Sequence, residues 1–117
     1  MSKETQLKTN FRSRPPYNQG LDDVLEFLFQ KHKSRTKARE LIEYITNNGG
    51  SYHESQWKEL IEELNISQSQ YHTTILKRLR RAGILRKENK MIKLSKTFGK
   101  QAIRLGEVWL NYFSRNI

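Results

Sequence analysis

The stretch that decides the fold is residues 66–94, ISQSQYHTTILKRLRRAGILRKENKMIKL. It begins with a short turn and a capped helical segment, breaks at Gly83, and continues as two short runs typical of a β-hairpin. Residues 67–98 contain nine Lys or Arg residues and one Glu, a net charge of +8, whereas the whole chain carries +10. Because the positive charge is concentrated here, we expect this segment to meet a polyanion.

The first half of the stretch predicts a helix over about residues 67–82. Ser67 and Gln70 have the Ser-x-x-Gln spacing of a capping box, and Gly83 provides a C-terminal stop. At about 100° per residue, one side of this helix is mostly apolar and should face the core. That side holds Gln68, Tyr71, Ile75, Leu79 and Ala82, with His72 and Leu76 at its edge. The opposite side, called here the polar face, consists of Ser69, Gln70, Thr73, Thr74, Lys77, Arg80 and Arg81.

The polar face is suited to double-stranded DNA. Short polar side chains near a helix N-terminus can hydrogen-bond base edges in the major groove, and the Lys and Arg residues further along suit phosphates. The alternative is a solvated surface without a partner. Such surfaces usually mix charges, whereas no acid occurs between Asn65 and Lys87.

Residues 84–94 predict a hairpin that turns at Glu88-Asn89. In that register Lys87 opposes Lys90, Arg86 opposes Met91, and Leu85 opposes Ile92 on the core face. The opposed ammonium groups would repel each other unless a phosphate lay between them or both side chains splayed into solvent. We therefore expect DNA contacts from three cations of the hairpin. These are Arg86, Lys87 and Lys90.

Two helices are predicted directly before this stretch. Residues 34–50 carry apolar side chains at helical spacing and end in Asn-Asn-Gly-Gly. Ser51 and Glu54 have a capping-box spacing, and an amphipathic helix follows, with a net charge of −3 over residues 51–66. A short turn over residues 65–67, whose last residue caps the next helix, joins this acidic helix to the 67–82 helix. Two helices joined so tightly must pack at a steep angle, as in a helix-turn-helix.

The order of these elements, with Leu79-Arg-Arg-Ala-Gly-Ile-Leu-Arg86 and Met91-Ile-Lys-Leu-Ser95 followed by Gly99, resembles winged helix-turn-helix domains. The similarity is greatest to MarR-type and PadR-type transcriptional regulators and covers about residues 34–99. It implies a mainly α fold with a small β-hairpin wing, a recognition helix in the major groove, wing contacts to the backbone or minor groove, and a homodimer. The short wing and the absence of Cys depart from that pattern.

Two further helices are predicted outside the 34–95 winged helix-turn-helix core, over residues 21–32 and 96–116. Each has more apolar surface than one buried stripe can hide, so we expect them to form a dimer interface. The alternative is that the two helices cover each other within one monomer. The residues expected at the interface are Leu25, Phe29, Ile103, Leu110, Trp109 and Phe113.

Residues 1–20 predict a flexible basic arm, because they contain four basic residues, one acid and the Arg12-Ser-Arg14-Pro-Pro run. Arg12 and Arg14 are candidate contacts to phosphates or a minor groove. The alternatives are a solvated terminus without a role and an extended segment along a partner subunit.

Composition bounds the remaining possibilities. A chain of 117 residues predicts one domain over residues 21–117, and the absence of Cys excludes disulfides and thiolate metal sites. No long apolar run or secretory signal is present, so we expect a cytoplasmic protein without a membrane partner. The three His residues are scattered, and no phosphate loop or nucleophile motif occurs. We therefore predict no catalytic residues, metal or cofactor, and no enzymatic activity.

Two functions fit these features. The first is a sequence-specific, dimeric DNA-binding protein, either a transcriptional regulator or a plasmid or virus DNA-maintenance factor. The second is a winged-helix interaction module of a transcription, replication or plasmid-partition assembly, in which the aromatic C-terminal helix docks on protein and DNA binding is secondary. RNA binding is a minor third alternative, because no surface aromatic platform is evident.

Overall fold

The computed structural model describes residues 20–117, which form five helices and one three-stranded antiparallel sheet. The predicted mainly helical fold with a small β element is thus confirmed. The helices are α1 (Leu21–Leu28), α2 (His32–Asn47), α3 (Trp57–Leu64), α4 (68–82) and α5 (Thr97–Asn116). The strands are β1 (Ser51–His53), β2 (Leu85–Glu88) and β3 (Met91–Leu94), and a 3-10 turn spans Glu54–Gln56.

The predicted helix over residues 21–32 ends four residues early, at Leu28, and a corner joins it to the next helix. α1 ends at Leu28 because Phe29 is extended (φ −127°, ψ 124°) and turns its ring into the core, where it is 1% exposed. The Arg35 guanidinium donates hydrogen bonds of 3.1 Å to the carbonyls of Phe29 and Gln30, which stabilises the corner. α2 then begins at His32, two residues before the predicted start.

The connection between α3 and α4 agrees with the prediction. α3 ends at Leu64, and the left-handed backbone of the next residue, Asn65 (φ 56°), reverses the chain. The Oγ atom of Ser67 accepts a 3.0 Å hydrogen bond from the backbone N–H of Gln70, so the predicted Ser67 cap is confirmed. α4 itself differs from an ordinary helix, because Gln70–Leu76 is π-helical and only Lys77–Ala82 returns to α-helix. The wider i→i+5 winding changes which side chains are exposed.

The sheet has the order β1-β3-β2, and its first strand was not predicted. Ser51–His53, expected as a helix cap, instead pairs with β3 so that Tyr52 lies opposite Ile92. The capping box lies two residues later: the His53 side chain accepts from Ser55 N–H, and the Gln56 side chain accepts from His53 N–H at 2.9 Å. The β2–β3 hairpin is therefore supported by a third strand, β1, which pairs with β3.

The hairpin register differs from the prediction by two residues. Leu85 opposes Leu94, Lys87 opposes Ile92, and the turn falls at Asn89-Lys90. Both turn residues have positive φ (52° and 67°), as a type I′ hairpin turn requires. A two-residue slide keeps each side chain on its predicted side of the sheet, so Leu85 and Ile92 still share the buried face, each 2% exposed.

The core lies between α1–α4 and the buried face of the sheet. Gly83 closes it at the end of α4, because its backbone is left-handed (φ 85°) and a Cβ there would lie 2.9 Å from the backbone nitrogen of Phe98. The buried apolar residues are Leu25, Phe29, Ala38, Leu41, Ile42, Ile45, Tyr52, Leu60, Leu64, Tyr71, Ile75, Leu79, Leu85 and Ile92.

α5 extends away from this core. Phe98 at its start is half-buried and packs edge-on against Phe27, with ring centroids 6.1 Å apart. Every residue from Gly99 to Ile117 is exposed. A 20-residue helix is about 30 Å long, and most of that length has no contact with the core.

Candidate nucleic-acid interface

Five of the seven residues predicted for the polar face of α4 are exposed. They are Ser69, Thr73, Lys77, Arg80 and Arg81. Three of them are cations on the last two turns, where they can reach a phosphate backbone, and the two hydroxyls precede them along the helix. The exposed side of α4 thus keeps the predicted order of small polar groups followed by positive charge.

The structure corrects the predicted faces of α4 at four positions. Gln70 and Thr74, expected on the polar face, are half-buried, whereas Gln68, expected on the core side, and His72, expected at its edge, are exposed. The physical reason is that the prediction assumed about 100° per residue, while i→i+5 winding rotates each residue less. Tyr71, Ile75 and Leu79 remain buried as predicted. A π-helical segment has no local sequence signature, so its effect on the exposed face could not be read from the sequence.

Two contacts fix α4 against the rest of the domain. The hydroxyls of Tyr71 on α4 and Tyr52 on β1 are hydrogen-bonded to each other inside the core, where both side chains are at most 1% exposed. Burial raises the pKa of both phenols, and the shared hydrogen bond raises that of Tyr52 further. Near the C-terminal end of α4, the Arg78 guanidinium carbon lies 5.2 Å from the centre of the Phe29 ring, and the guanidinium donates a 3.2 Å hydrogen bond to the Leu28 carbonyl oxygen. Arg78 therefore anchors α4 to α1.

A basic cleft separates α4 from the hairpin. Its volume is about 600 Å³, and five of its eight lining side chains are cations. They are Lys77, Arg80 and Arg81 from α4 and Arg86 and Lys87 from β2, with His72, Leu76 and Leu85 completing the lining. Among residues 20–117, no carboxylate lines this cleft. Cations on two converging elements create a positive potential that attracts a polyanion.

The predicted opposition of Lys87 and Lys90 is wrong, because Lys90 lies in the turn and Lys87 opposes Ile92. Lys87 is instead paired with Glu54 at 2.8 Å, and this pairing lowers the pKa of Glu54. Glu88 accepts from Lys93 at 2.7 Å and lies 3.7 Å from Arg86, and the Lys93 bond is the main cause of its lowered pKa. All three predicted hairpin cations are exposed, but Arg86 and Lys87 already have acidic partners.

The residues predicted for dimerisation fall into two groups. Leu25 and Phe29 are each 1% exposed and belong to the core, so that part of the prediction is wrong: the corner after α1 turns these side chains inward. The four residues on α5 are all exposed, Ile103 by 67%, Trp109 by 58%, Leu110 by 62% and Phe113 by 48%. The predicted alternative, in which the terminal helices cover each other, is also not observed beyond Phe27 and Phe98.

The apolar surface of α5 is larger than these four residues. Leu105, Val108, Tyr112 and Ile117 are also at least 54% exposed. The charged side chains of this helix, together with Asn111, follow one stripe at helical spacing, which contains Lys100, Arg104, Glu107, Asn111 and Arg115. An exposed apolar patch of this extent, bounded by polar residues, is typical of a protein interface.

The remaining predictions concern the N-terminal arm, metal binding and the membrane. Arg12 and Arg14 lie outside residues 20–117. Within residues 20–117, no three His, Asp or Glu side chains are grouped as metal ligands would be. In the same part of the chain, none of the helices combines the length and apolar character that crossing a membrane requires.

Comparison with known proteins adds a family but no relative of known activity. Residues 16–113 match the model of a protein family described as an archaeal family. No match was found among curated proteins or among solved structures.

Proposed function

We propose that this chain, which belongs to that archaeal family, is a sequence-specific double-stranded DNA-binding protein that acts as a dimeric transcriptional regulator. In this proposal α3, the short turn and α4 form a helix-turn-helix. α4 enters the major groove, and the β2–β3 hairpin is a wing that contacts the backbone or the minor groove. The narrower likeness to MarR-type and PadR-type regulators, and the cytoplasmic location, remain predictions.

The observation that carries the proposal is the basic cleft together with the exposed side of α4. Five cations converge there. Within residues 20–117, Lys77, Arg80 and Arg81 on α4 have no acidic partner, whereas Arg86 and Lys87 are paired with Glu88 and Glu54. The exposed acids of α3 (Glu59, Glu62 and Glu63) lie on a different element. The segregation gives one side of the domain the charge of a phosphate-binding surface. Ser69 and Thr73 add side chains that can hydrogen-bond base edges from the same helix.

The second part of the proposal, the dimer, is supported by α5. Two copies that pack their α5 helices together would bury the apolar surface and leave the polar stripe in water. Such a dimer presents two copies of α4, which could read two half-sites about one helical turn apart on DNA.

Fluorescence anisotropy with labelled duplexes at a series of salt concentrations tests the proposal. Lys77→Ala should weaken binding to all sequences alike and reduce the salt slope by about 0.9, the value for one phosphate contact. Thr73→Ala should relax specificity at one base pair. Lys33→Ala is the matched control, since it removes an exposed lysine from α2, outside the proposed interface. Equal binding of the wild-type protein to random and to selected duplexes would refute sequence-specific recognition.

A second candidate function is favoured by the same helix. The apolar surface of α5 also suits a protein-interaction module of a transcription or replication assembly, in which DNA contact is secondary. Light scattering separates the two candidates. A dimer that binds duplex at physiological salt supports the DNA-binding protein, whereas a monomer that binds duplex weakly supports the interaction module.

A further inference from the structure

We infer that His72 reads a base within the proposed DNA interface, accepting a hydrogen bond when its imidazole is neutral and donating one when it is protonated. The inference rests on the proposed function and extends it to a specificity-determining residue. It concerns a side chain that the helical periodicity of the sequence assigns to the edge of the core.

The first observation is position. His72 is exposed on α4, immediately before Thr73 and five residues before Lys77, which is the i→i+5 hydrogen-bond spacing of the π-helical segment. It also lines the basic cleft beside Arg80. His72 therefore lies among the side chains that the proposal assigns to bases and phosphates.

The second observation is that the ring is held in place although it is exposed. It packs edge to face against Trp57 (centroids 5.2 Å apart, 66° between planes) and against Tyr71 (4.8 Å, 85°). Its Nδ1 atom lies 3.1 Å from the backbone carbonyl oxygen of Gln68. Three contacts thus fix one rotamer before any ligand arrives, which reduces the entropy lost on binding. We assign Trp57 as the positioning residue.

The third step is chemical. A carbonyl oxygen only accepts hydrogen bonds, so Nδ1 carries the proton that His72 shares with Gln68. In the neutral ring, Nε2 is therefore an acceptor, which suits the amino group of adenine or cytosine in the major groove. In the protonated ring Nε2 becomes a donor, which suits guanine most because guanine presents two acceptors, N7 and O6, and no amino group in the major groove. The base preferred at this position should consequently change with pH.

The charged groups around His72 are mostly cations. Lys77, Arg80 and Arg81 come from its own helix and Arg86 and Lys87 from β2, while Glu54 faces it from the 3-10 turn and Lys58 lies 5.6 Å from the Trp57 ring. The phosphates of a bound duplex would oppose this positive surrounding. Histidine as a residue type changes its charge near neutral pH, so the assay compares one pH above and one pH below that range.

The test begins with selection of duplexes from a random pool by the full-length protein at pH 8. Each base pair of the selected site is then varied, and affinities are measured at pH 8 and pH 5.5. For the wild-type protein, one position should prefer adenine or cytosine roughly two- to tenfold at pH 8, as one hydrogen bond allows, and shift toward guanine at pH 5.5. Phosphate contacts alone produce no such change at a single position.

Variants separate a reading role from a structural one. His72→Ala should remove both the preference and its pH dependence at that position. His72→Gln, which donates and accepts without titrating, should retain a preference for adenine at both pH values. Trp57→Leu should weaken the preference and Trp57→Phe should restore it, because Phe keeps an aromatic edge contact. Circular dichroism checks that each variant is folded.

The outcomes are distinguishable. If the wild-type protein selects no sequence, the proposed function fails and this inference fails with it. If it selects a sequence but His72→Ala selects the same sequence with the same pH profile, sequence-specific binding stands and His72 has no reading role.

Discussion

Removing one hydroxyl from the Tyr52–Tyr71 pair should destabilise the protein more than removing both. Each hydroxyl has the other as its hydrogen-bond partner, and both are buried. Tyr52→Phe leaves the Tyr71 hydroxyl without its hydrogen-bond partner, and Tyr71→Phe does the same to the Tyr52 hydroxyl. An unpaired buried polar group costs about 1–3 kcal/mol, so each single variant should lose stability by that amount. The double variant replaces both partners by groups of nearly the same shape, and its loss should be small.

Urea denaturation of the four proteins at pH 7 measures this coupling. The summed losses of the two single variants should exceed the small loss of the double variant by about 2–6 kcal/mol, twice the cost of one unpaired buried hydroxyl, with unchanged denaturant slopes. Phenylalanine keeps the edge contacts of these rings, including that of Tyr52 with Tyr44, so packing contributes little to the difference. Simple additivity of the two single changes would refute the assignment of the pair as a mutually satisfied buried contact.

The same pair predicts a dependence on alkaline pH. Because folding raises the pKa of both phenols, the neutral forms are favoured in the folded state. Their contribution is complete below the unfolded tyrosine pKa of about 10, and it is lost as pH rises through that value toward the folded pKa. The wild-type protein should therefore lose stability above pH 10 faster than Tyr52→Phe/Tyr71→Phe. Parallel pH profiles for the two proteins would contradict this.

Three further predictions concern other parts of the molecule. Gly83→Ala should destabilise the fold by more than Gly49→Ala. Both positions have a left-handed backbone, in which alanine costs about 1–3 kcal/mol of strain, but only at Gly83 would the added Cβ meet a backbone atom. Equal losses of stability in urea denaturation would contradict the close approach of Gly83 to Phe98. Glu54→Gln should release Lys87 and raise duplex affinity roughly two- to fivefold at low salt, whereas Glu59→Gln on α3 should not, as measured by anisotropy. Leu110→Glu should convert the proposed dimer to a monomer in light scattering, whereas Asn111→Glu on the polar stripe should leave the dimer intact. A monomeric wild-type protein would exclude the α5 dimer.

The features that the sequence predicted correctly are those specified by neighbouring residues. The Ser67 cap, the end of α4 at Gly83 and the short turn before α4 each depend on side chains within a few positions of one another. The buried positions Tyr71, Ile75 and Leu79 recur at four-residue spacing, which both α-helical and π-helical winding keep near one side. Local chemistry was sufficient for these elements.

The features that were missed depend on distant contacts or on rare backbone conformations. β1 is three residues long and exists through its pairing with β3, about 40 residues later in the chain, so no local pattern marks it. The hairpin turn uses a left-handed Lys90, a conformation that lysine seldom adopts. Leu25 and Phe29 suggested an interface because α1 is apolar around much of its circumference, but the corner at Phe29 lets the monomer bury both.

The position of β2 at the edge of the sheet gives its charges a second consequence. An edge strand has unpaired backbone groups that can recruit a strand from another molecule, and charged side chains are a common protection against such aggregation. β2 carries three consecutive charged residues, Arg86, Lys87 and Glu88, on that edge. Variants that neutralise the hairpin to test DNA binding would therefore also lower solubility and produce misleading losses of activity. Lys77, which lies on a helix, is the safer position at which to measure the contribution of charge.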